Sequence, residues 1–174
     1  MNLTLFDLDG TLIETDSDHA FGEFLVQVGW ADKDRFKQRN DQFYAEYLDG
    51  TLDVAAYLDF ATAPWRERAP AEAAAMRERF VQEVMRPALH DGALSLVRRH
   101  QDSGDRVAIV TATNEFVTRP IADAFGVPDL IAVELERDDA PEHRCTVRAL
   151  AAQEQHPAEV RHDVRVVRRD RERH

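Results

Sequence analysis

The chain has 174 residues, 44% apolar and 32% charged, which suits one globular domain or a domain with a compact insert. With 22 basic and 33 acidic side chains its formal charge is −11, which argues against nucleic acid or an anionic membrane as partner, since both ask for a basic surface. A lone cysteine, Cys145, excludes an intrachain disulfide and fits a reducing compartment. The first apolar run is broken by Asp7 and lacks a cationic flank, so it does not read as a signal peptide, and no stretch approaches a membrane span. A cytoplasmic protein is expected.

Residues 3–8 (LTLFDL) are short, apolar and rich in strand formers, as a strand buried on both faces would be. Gly10 and Thr11 mark a sharp turn. From Ser17 the period changes: Phe21, Phe24, Leu25 and Val28 form the stripe of an amphipathic helix that Gly29 closes. Phe43, Tyr44, Tyr47 and Leu48 suggest a second helix ending at Gly50. A third is expected over 53–62, before Pro64, and a fourth over 71–85, made mostly of strong helix formers. Residues 14–88 thus form a helical stretch without a strand signal.

Alternation of strand and helix then returns. Asp91-Gly92 opens a helix bearing Leu94, Leu96 and Val97, and Gly104 ends it. RVAIVT (106–111) is a second buried strand. Phe116, Val117, Ile121 and Phe125 fall at helical spacing, with Pro120 as a kink and Gly126 as the stop. LIAVEL (130–135) is a third strand, and 132–138 can pair with 143–148 as a hairpin. Beyond Leu150 no apolar strand is expected, because VRVV at 164–167 is short and hemmed in by arginines. The charge is also uneven. Residues 1–143 carry 14 basic and 28 acidic side chains, whereas 144–174 carry 8 arginines and 5 acids, with three further histidines. Residues 151–174 therefore read as an atypical Arg/His-rich tail, of the kind a shifted reading frame in a longer gene would produce.

Strands separated by helices imply parallel βαβ units in a layered α/β fold, whose ligands bind at the carboxyl ends of the strands. That rule brings Asp7 and Asp9 together with Thr111, Thr113 and Asn114, since each set follows a buried strand. The rival reading makes the paired aspartates turn formers, Asp16 an N-cap and Thr111 a structural hydroxyl. His19, His90 and His100 are scattered without ligand spacing and read as structural or solvated.

FDLDGT, followed about a hundred residues later by VAIVTATN, resembles the haloacid dehalogenase superfamily of phosphohydrolases. Within it, DSDHAFGEFLVQVGW and VTATNEFVTRPIADAFGV are similar to the phosphoserine phosphatase-like branch, which includes histidinol-phosphatases. The resemblance covers roughly residues 1–140. It implies a Rossmann-like core formed by 1–13 and 89–150, interrupted by an inserted helical cap at 14–88 and incomplete toward the C-terminus. It further implies a Mg²⁺-dependent phosphomonoester hydrolase acting on a small phosphorylated metabolite. In that scheme Asp7 is the nucleophile, forming an aspartyl-phosphate, and Asp9 the general acid and base. Gly10, Thr111, Ala112 and Thr113 would hold the phosphoryl group, and Asp16 would meet a substrate amine. Mg²⁺ would sit on Asp7 and on Asp9 through its carbonyl. The superfamily also uses a lysine and a later acidic pair. Here Lys33 and Lys37 are the only lysines, and no strand ending in Gly-Asp or Ser-Asp follows residue 140. Arg148 or Arg161 is an alternative source of charge. Two other readings stay open: a phosphate-binding remnant without turnover, and an interaction module using the basic tail. An exposed sheet edge leaves self-association open as well.

Overall fold

The structure is a computed structural model describing residues 2–135 and 164–167. Its framework is a four-stranded parallel sheet with strand order β3-β2-β1-β4, formed by β1 (Leu3–Asp7), β2 (Arg106–Asn114), β3 (Asp129–Val133) and β4 (Val164–Val167). Parallel pairing requires long crossovers, and the sequence supplies them as helices. Between β1 and β2 run α1 (Ser17–Gln27), α2 (Lys33–Leu48), α3 (Val54–Arg66), α4 (Pro70–Phe80), a π-helical turn (Val81–Met85), α5 (Arg86–Ala88) and α6 (Asp91–Asp102). A single helix, α7 (Glu115–Ala124), joins β2 to β3.

The sheet's own signals are local. In β1, Thr4 and Phe6 are fully buried while Leu3 and Leu5 are half-buried, so this strand has one sealed face rather than the two expected. In β2, Val107, Ala108 and Ile109 are all buried. Phe6, Leu8, Ile13, Phe80, Met85, Val97, Ile109 and Val117 form the center of the core, each at most 1% exposed. Burying one such side chain stabilises the fold by about 1.5–3 kcal/mol.

Several helix boundaries match the residues that favour them. Asp16 caps α1, Asp53 caps α3 and Asn114 caps α7, each accepting an N–H from the first turn. At α6 the cap is a histidine: His90 Nδ1 accepts the Ala93 N–H at 3.1 Å. At the far end of the sheet, His100 Nδ1 lies 2.9 Å from Asp105 Oδ2, and the Thr4 hydroxyl donates to the same carboxylate at 3.3 Å. Both histidines are therefore structural, as expected. His19 faces Glu23 at 3.5 Å on the exposed side of α1.

Four expectations need correction. Pro64 does not stop α3, which continues to Arg66. The Thr62 hydroxyl donates to Leu58 O at 2.7 Å, and the extra residues bring Trp65 into the core at 5% exposure. The helix expected over 71–85 is not uniform, because its last five residues form the π turn. The strand expected to end at Thr111 runs on to Asn114 through a register shift against β3 after Val110, so Thr111, Ala112 and Thr113 lie within an irregular strand end. Finally, the tail does contain a strand: β4 pairs with β1 from Leu3↔Val164 to Phe6↔Val167. Three β-branched valines suit it to pairing. The second arm of the expected hairpin, 143–148, lies outside the described residues, as do Arg148 and Arg161.

Candidate active site

β1 ends on Asp7, and the chain then folds tightly over the strand end. The N–H groups of Thr11, Leu12 and Ile13 all point at Leu8 O, at 3.2, 3.0 and 3.1 Å. Gly10 sits at φ +70°, in the left-handed region where a Cβ would be strained, and its N–H donates to Thr15 O at 3.2 Å. The backbone donors of Gly10, Thr11 and Leu12 are therefore spent inside the turn.

The turn carries the two aspartates into different surroundings. Asp9 accepts three hydrogen bonds: the Ser17 N–H reaches Oδ1 at 2.7 Å, and the Thr111 and Thr113 hydroxyls reach Oδ2 at 2.8 and 3.3 Å. Thr111 also accepts the Thr113 N–H at 3.1 Å, so the irregular end of β2 is locked around Asp9. Asp7 accepts one, from the Thr11 hydroxyl at 2.8 Å on Oδ2. One carboxylate is thus held by two separate segments, the start of α1 and the end of β2, and its neighbour keeps an oxygen without a donor among the described residues.

Asp7, Asp9, Gly10, Thr111 and Thr113 converge at one end of the parallel sheet, where topology predicts a ligand site. Ala112 lies beside them and is exposed. Asp16 is exposed and takes the N-cap position of α1, accepting the His19 N–H at 2.9 Å. Among the described residues no three His, Cys, Asp or Glu side chains gather as a metal cluster. The donors present nonetheless fit Mg²⁺, which keeps several waters and needs one or two protein oxygens beside those of a phosphate. Asp7 has a carboxylate oxygen to lend, whereas Asp9, with its carboxylate occupied, could lend its backbone carbonyl.

Sequence reasoning missed a second acidic position. Asp18, in the first turn of α1, accepts a hydrogen bond from the Tyr57 hydroxyl of α3. Burial raises its carboxyl to about 6; the Tyr57 bond opposes the rise, and the charges of Asp16 and Asp9 add to it. The Tyr57 phenol is pushed up in turn, by burial and by the Asp18 charge. The signal was present in Asp16-Ser17-Asp18, which repeats the spacing of Asp7-Leu8-Asp9. Also unforeseen was the stack of Trp65 on Phe116, with centroids 4.0 Å apart and planes 8° from parallel, which ties α3 to the start of α7.

Comparison with known proteins agrees with this arrangement. The profile of the haloacid dehalogenase-like hydrolases matches residues 4–174. A histidinol-phosphatase of Neisseria meningitidis is 38% identical over 135 residues, 78% of this chain and 61% of that protein. The phosphoserine phosphatase SerB1 of Mycobacterium tuberculosis is 28% identical over 137 residues, 77% of this chain and 44% of its own length. The chain thus spans less than two thirds of either relative. A crystal structure of a protein with unknown function from Bordetella pertussis Tohama I is 43% identical with a TM-score of 0.75, covering 84% of this chain and 65% of that one. A phosphoserine phosphatase carrying a phospho-aspartyl intermediate analogue shares the fold at 16% identity, with a TM-score of 0.54 over 84% of this chain and 61% of that one. A parallel sheet with Asp-x-Asp at the end of β1, a threonine-bearing strand beside it and a profile match across nearly the whole length establish that the chain belongs to the haloacid dehalogenase-like hydrolase family.

Proposed function

We propose that the chain is a Mg²⁺-dependent phosphatase of a small phosphorylated metabolite, of the histidinol phosphate or phosphoserine type, working through an aspartyl-phosphate on Asp7. The observation that carries this reading is the asymmetry of the two aspartates. Asp9 is oriented by Ser17, Thr111 and Thr113, as a proton-transfer group needs to be, while Asp7 retains an oxygen free to attack.

In the first half-reaction the Asp7 oxygen bonds to phosphorus, the bond from phosphorus to the ester oxygen breaks, and protonated Asp9 gives its proton to the departing alcohol. In the second, Asp9 takes a proton from water as that water attacks phosphorus, and the Asp7–phosphorus bond breaks to release inorganic phosphate. The Thr111 hydroxyl can exchange its bond to Asp9 for one to a phosphoryl oxygen. Mg²⁺ would supply charge neutralisation, offsetting the repulsion between a carboxylate and a phosphate dianion. Asp16, at the entrance of α1, is the candidate contact for a substrate amine or imidazolium. The helical segment between β1 and β2 would serve as the substrate-selecting cap. A reducing, cytoplasmic setting fits the single cysteine, and no helix among the described residues is long and apolar enough to cross a membrane.

A second reading is favoured by one fact of the sequence: no lysine follows Thr111. With less positive charge in the cleft, the chain would bind phosphate without turning it over. The two readings separate in one experiment. Phosphate release is measured from a panel that includes histidinol phosphate and phosphoserine, with and without Mg²⁺, beside Asp7→Asn. Mg²⁺-dependent release that the variant lacks is the expected result. A folded chain that raises its melting temperature with phosphate yet releases none would replace the hydrolase by the binding protein.

A further inference from the structure

A phosphate dianion entering beside Asp7 and Asp9 needs a cation, and the described residues offer one that nothing else has claimed. Arg77 in α4 is half-buried, its Nε is sealed from solvent, and that N–H has no acceptor. Every other described arginine or lysine is either paired with a carboxylate or exposed. The isolation follows from the sequence. Arg77's neighbours one turn away on the helix face are Ala73 and Val81, both buried and neither able to accept a proton. Leaving such a donor unmet costs about 1–3 kcal/mol, more for a charged group.

Packing says where the cation lies. The guanidinium carbon sits 4.9 Å from the centroid of Phe116, while Trp65 lies parallel to that ring at 4.0 Å, so the two occupy opposite faces. Phe116 follows directly on the site: Thr113, three residues earlier, donates to Asp9, and Asn114 caps the helix on which Phe116 sits. Phe21, whose ring is 6.3 Å from that of Phe116, belongs to α1, the helix whose first N–H also holds Asp9. Phe116 is thus flanked by both elements that fix Asp9, and Arg77 stacks on it with its remaining donors uncommitted.

We propose that Arg77 is an anion-binding residue of this site, contacting the phosphate of the bound ligand. The proposal rests on the hydrolase reading for the chemistry of that ligand. A guanidinium presents its donors as a planar fork that matches phosphate oxygens, and a stack on Phe116 fixes the plane in advance. Lysine would keep the charge and lose the stack.

The test uses the full chain with Trp30→Phe, which leaves Trp65 as its only indole, and titrates inorganic phosphate in the presence of Mg²⁺ at constant ionic strength. Saturable change in Trp65 emission is expected, with affinity at least tenfold weaker in Arg77→Met and intermediate in Arg77→Lys. If Arg77→Met does not fold, Arg77→Lys still has to bind more weakly than the parent. Equal affinity in parent and variants, or no saturable response in the parent, overturns the proposal and leaves Arg77 as a packing residue. Failure of the hydrolase reading is distinguishable. Arg77-dependent phosphate binding in a chain that releases no phosphate from any ester would remove the catalysis and leave the contact standing.

Discussion

Replacing Asp18 by asparagine removes an ionisable group that the fold holds in an unfavourable place. Its carboxyl titrates near 3.8 when unfolded and at about 6 in the native protein, chiefly because it is buried. The native state therefore binds a proton that the unfolded chain has already released. Stability from this site is complete below pH 3.8 and is lost as pH rises through 6. The shift of about two units corresponds to about 3 kcal/mol, and about 2 kcal/mol after allowance for the solvent that still reaches the carboxylate. Asparagine retains an oxygen to accept the Tyr57 hydroxyl proton, so the bridge between α1 and α3 survives while the ionisation does not. Urea unfolding of parent and Asp18→Asn at intervals from pH 4 to 8 isolates the effect, because titrating groups not coupled to Asp18 cancel in the difference. The parent should lose about 2 kcal/mol relative to the variant across that range. A difference that stays flat, or one that grows in the parent's favour as pH rises, would refute the argument that burial governs this carboxyl.

Other perturbations test the packing. Trp65→Ala removes the ring stacked on Phe116 at 5% exposure and should cost about 3–5 kcal/mol in denaturant unfolding. Gly22→Ala places a Cβ 2.6 Å from Phe36 Cζ, a ring already stacked on Phe60 at 4.9 Å, so it should destabilise the α1–α2 packing by about 1–3 kcal/mol and lower the melting temperature. Asp105 is held below the usual carboxylate range, first by its hydrogen bond to His100, so its contribution is present above pH 3.8 and lost as acid protonates it. Asp105→Asn should consequently flatten the acid limb of the stability profile, and an acid limb as steep as the parent's would show that the bond to His100 does not matter.

How much of this was legible beforehand differs from feature to feature, for physical reasons. The site declared itself because its residues are adjacent in sequence: Asp7, Asp9 and Gly10 belong to one turn, and α/β topology alone brings the β2 threonines to them. Helix α1 was equally plain, since one uninterrupted stripe spans its whole length. Pro64 misled because proline's missing N–H usually ends a helix, and the need to bury Trp65 outweighed that preference. β4 was hidden by its arginines, which signal solvent to a reading based on hydropathy, although pairing with β1 is a backbone matter. Asp18 looked like an ordinary first-turn acid of a helix, and only the arrival of Tyr57 from a helix distant in sequence makes it unusual. Arg77 stands in a run of charged residues, RER, whose exposed members disguise the one that turns inward.

The π turn at Val81–Met85 sets the angular phase of everything before it. A π turn accommodates one residue more than the regular helix, and each residue of an α-helix advances by about 100° around the axis. Phe80, Val81 and Met85 are all buried across this widened turn, so the core is satisfied on both sides of the extra residue. Forcing the same five residues into regular α-helical turns would rotate α4 by about 100° relative to α5. Arg77 would then swing off Phe116 with no change to its own identity. The widened turn therefore absorbs one residue that would otherwise turn a whole helix face.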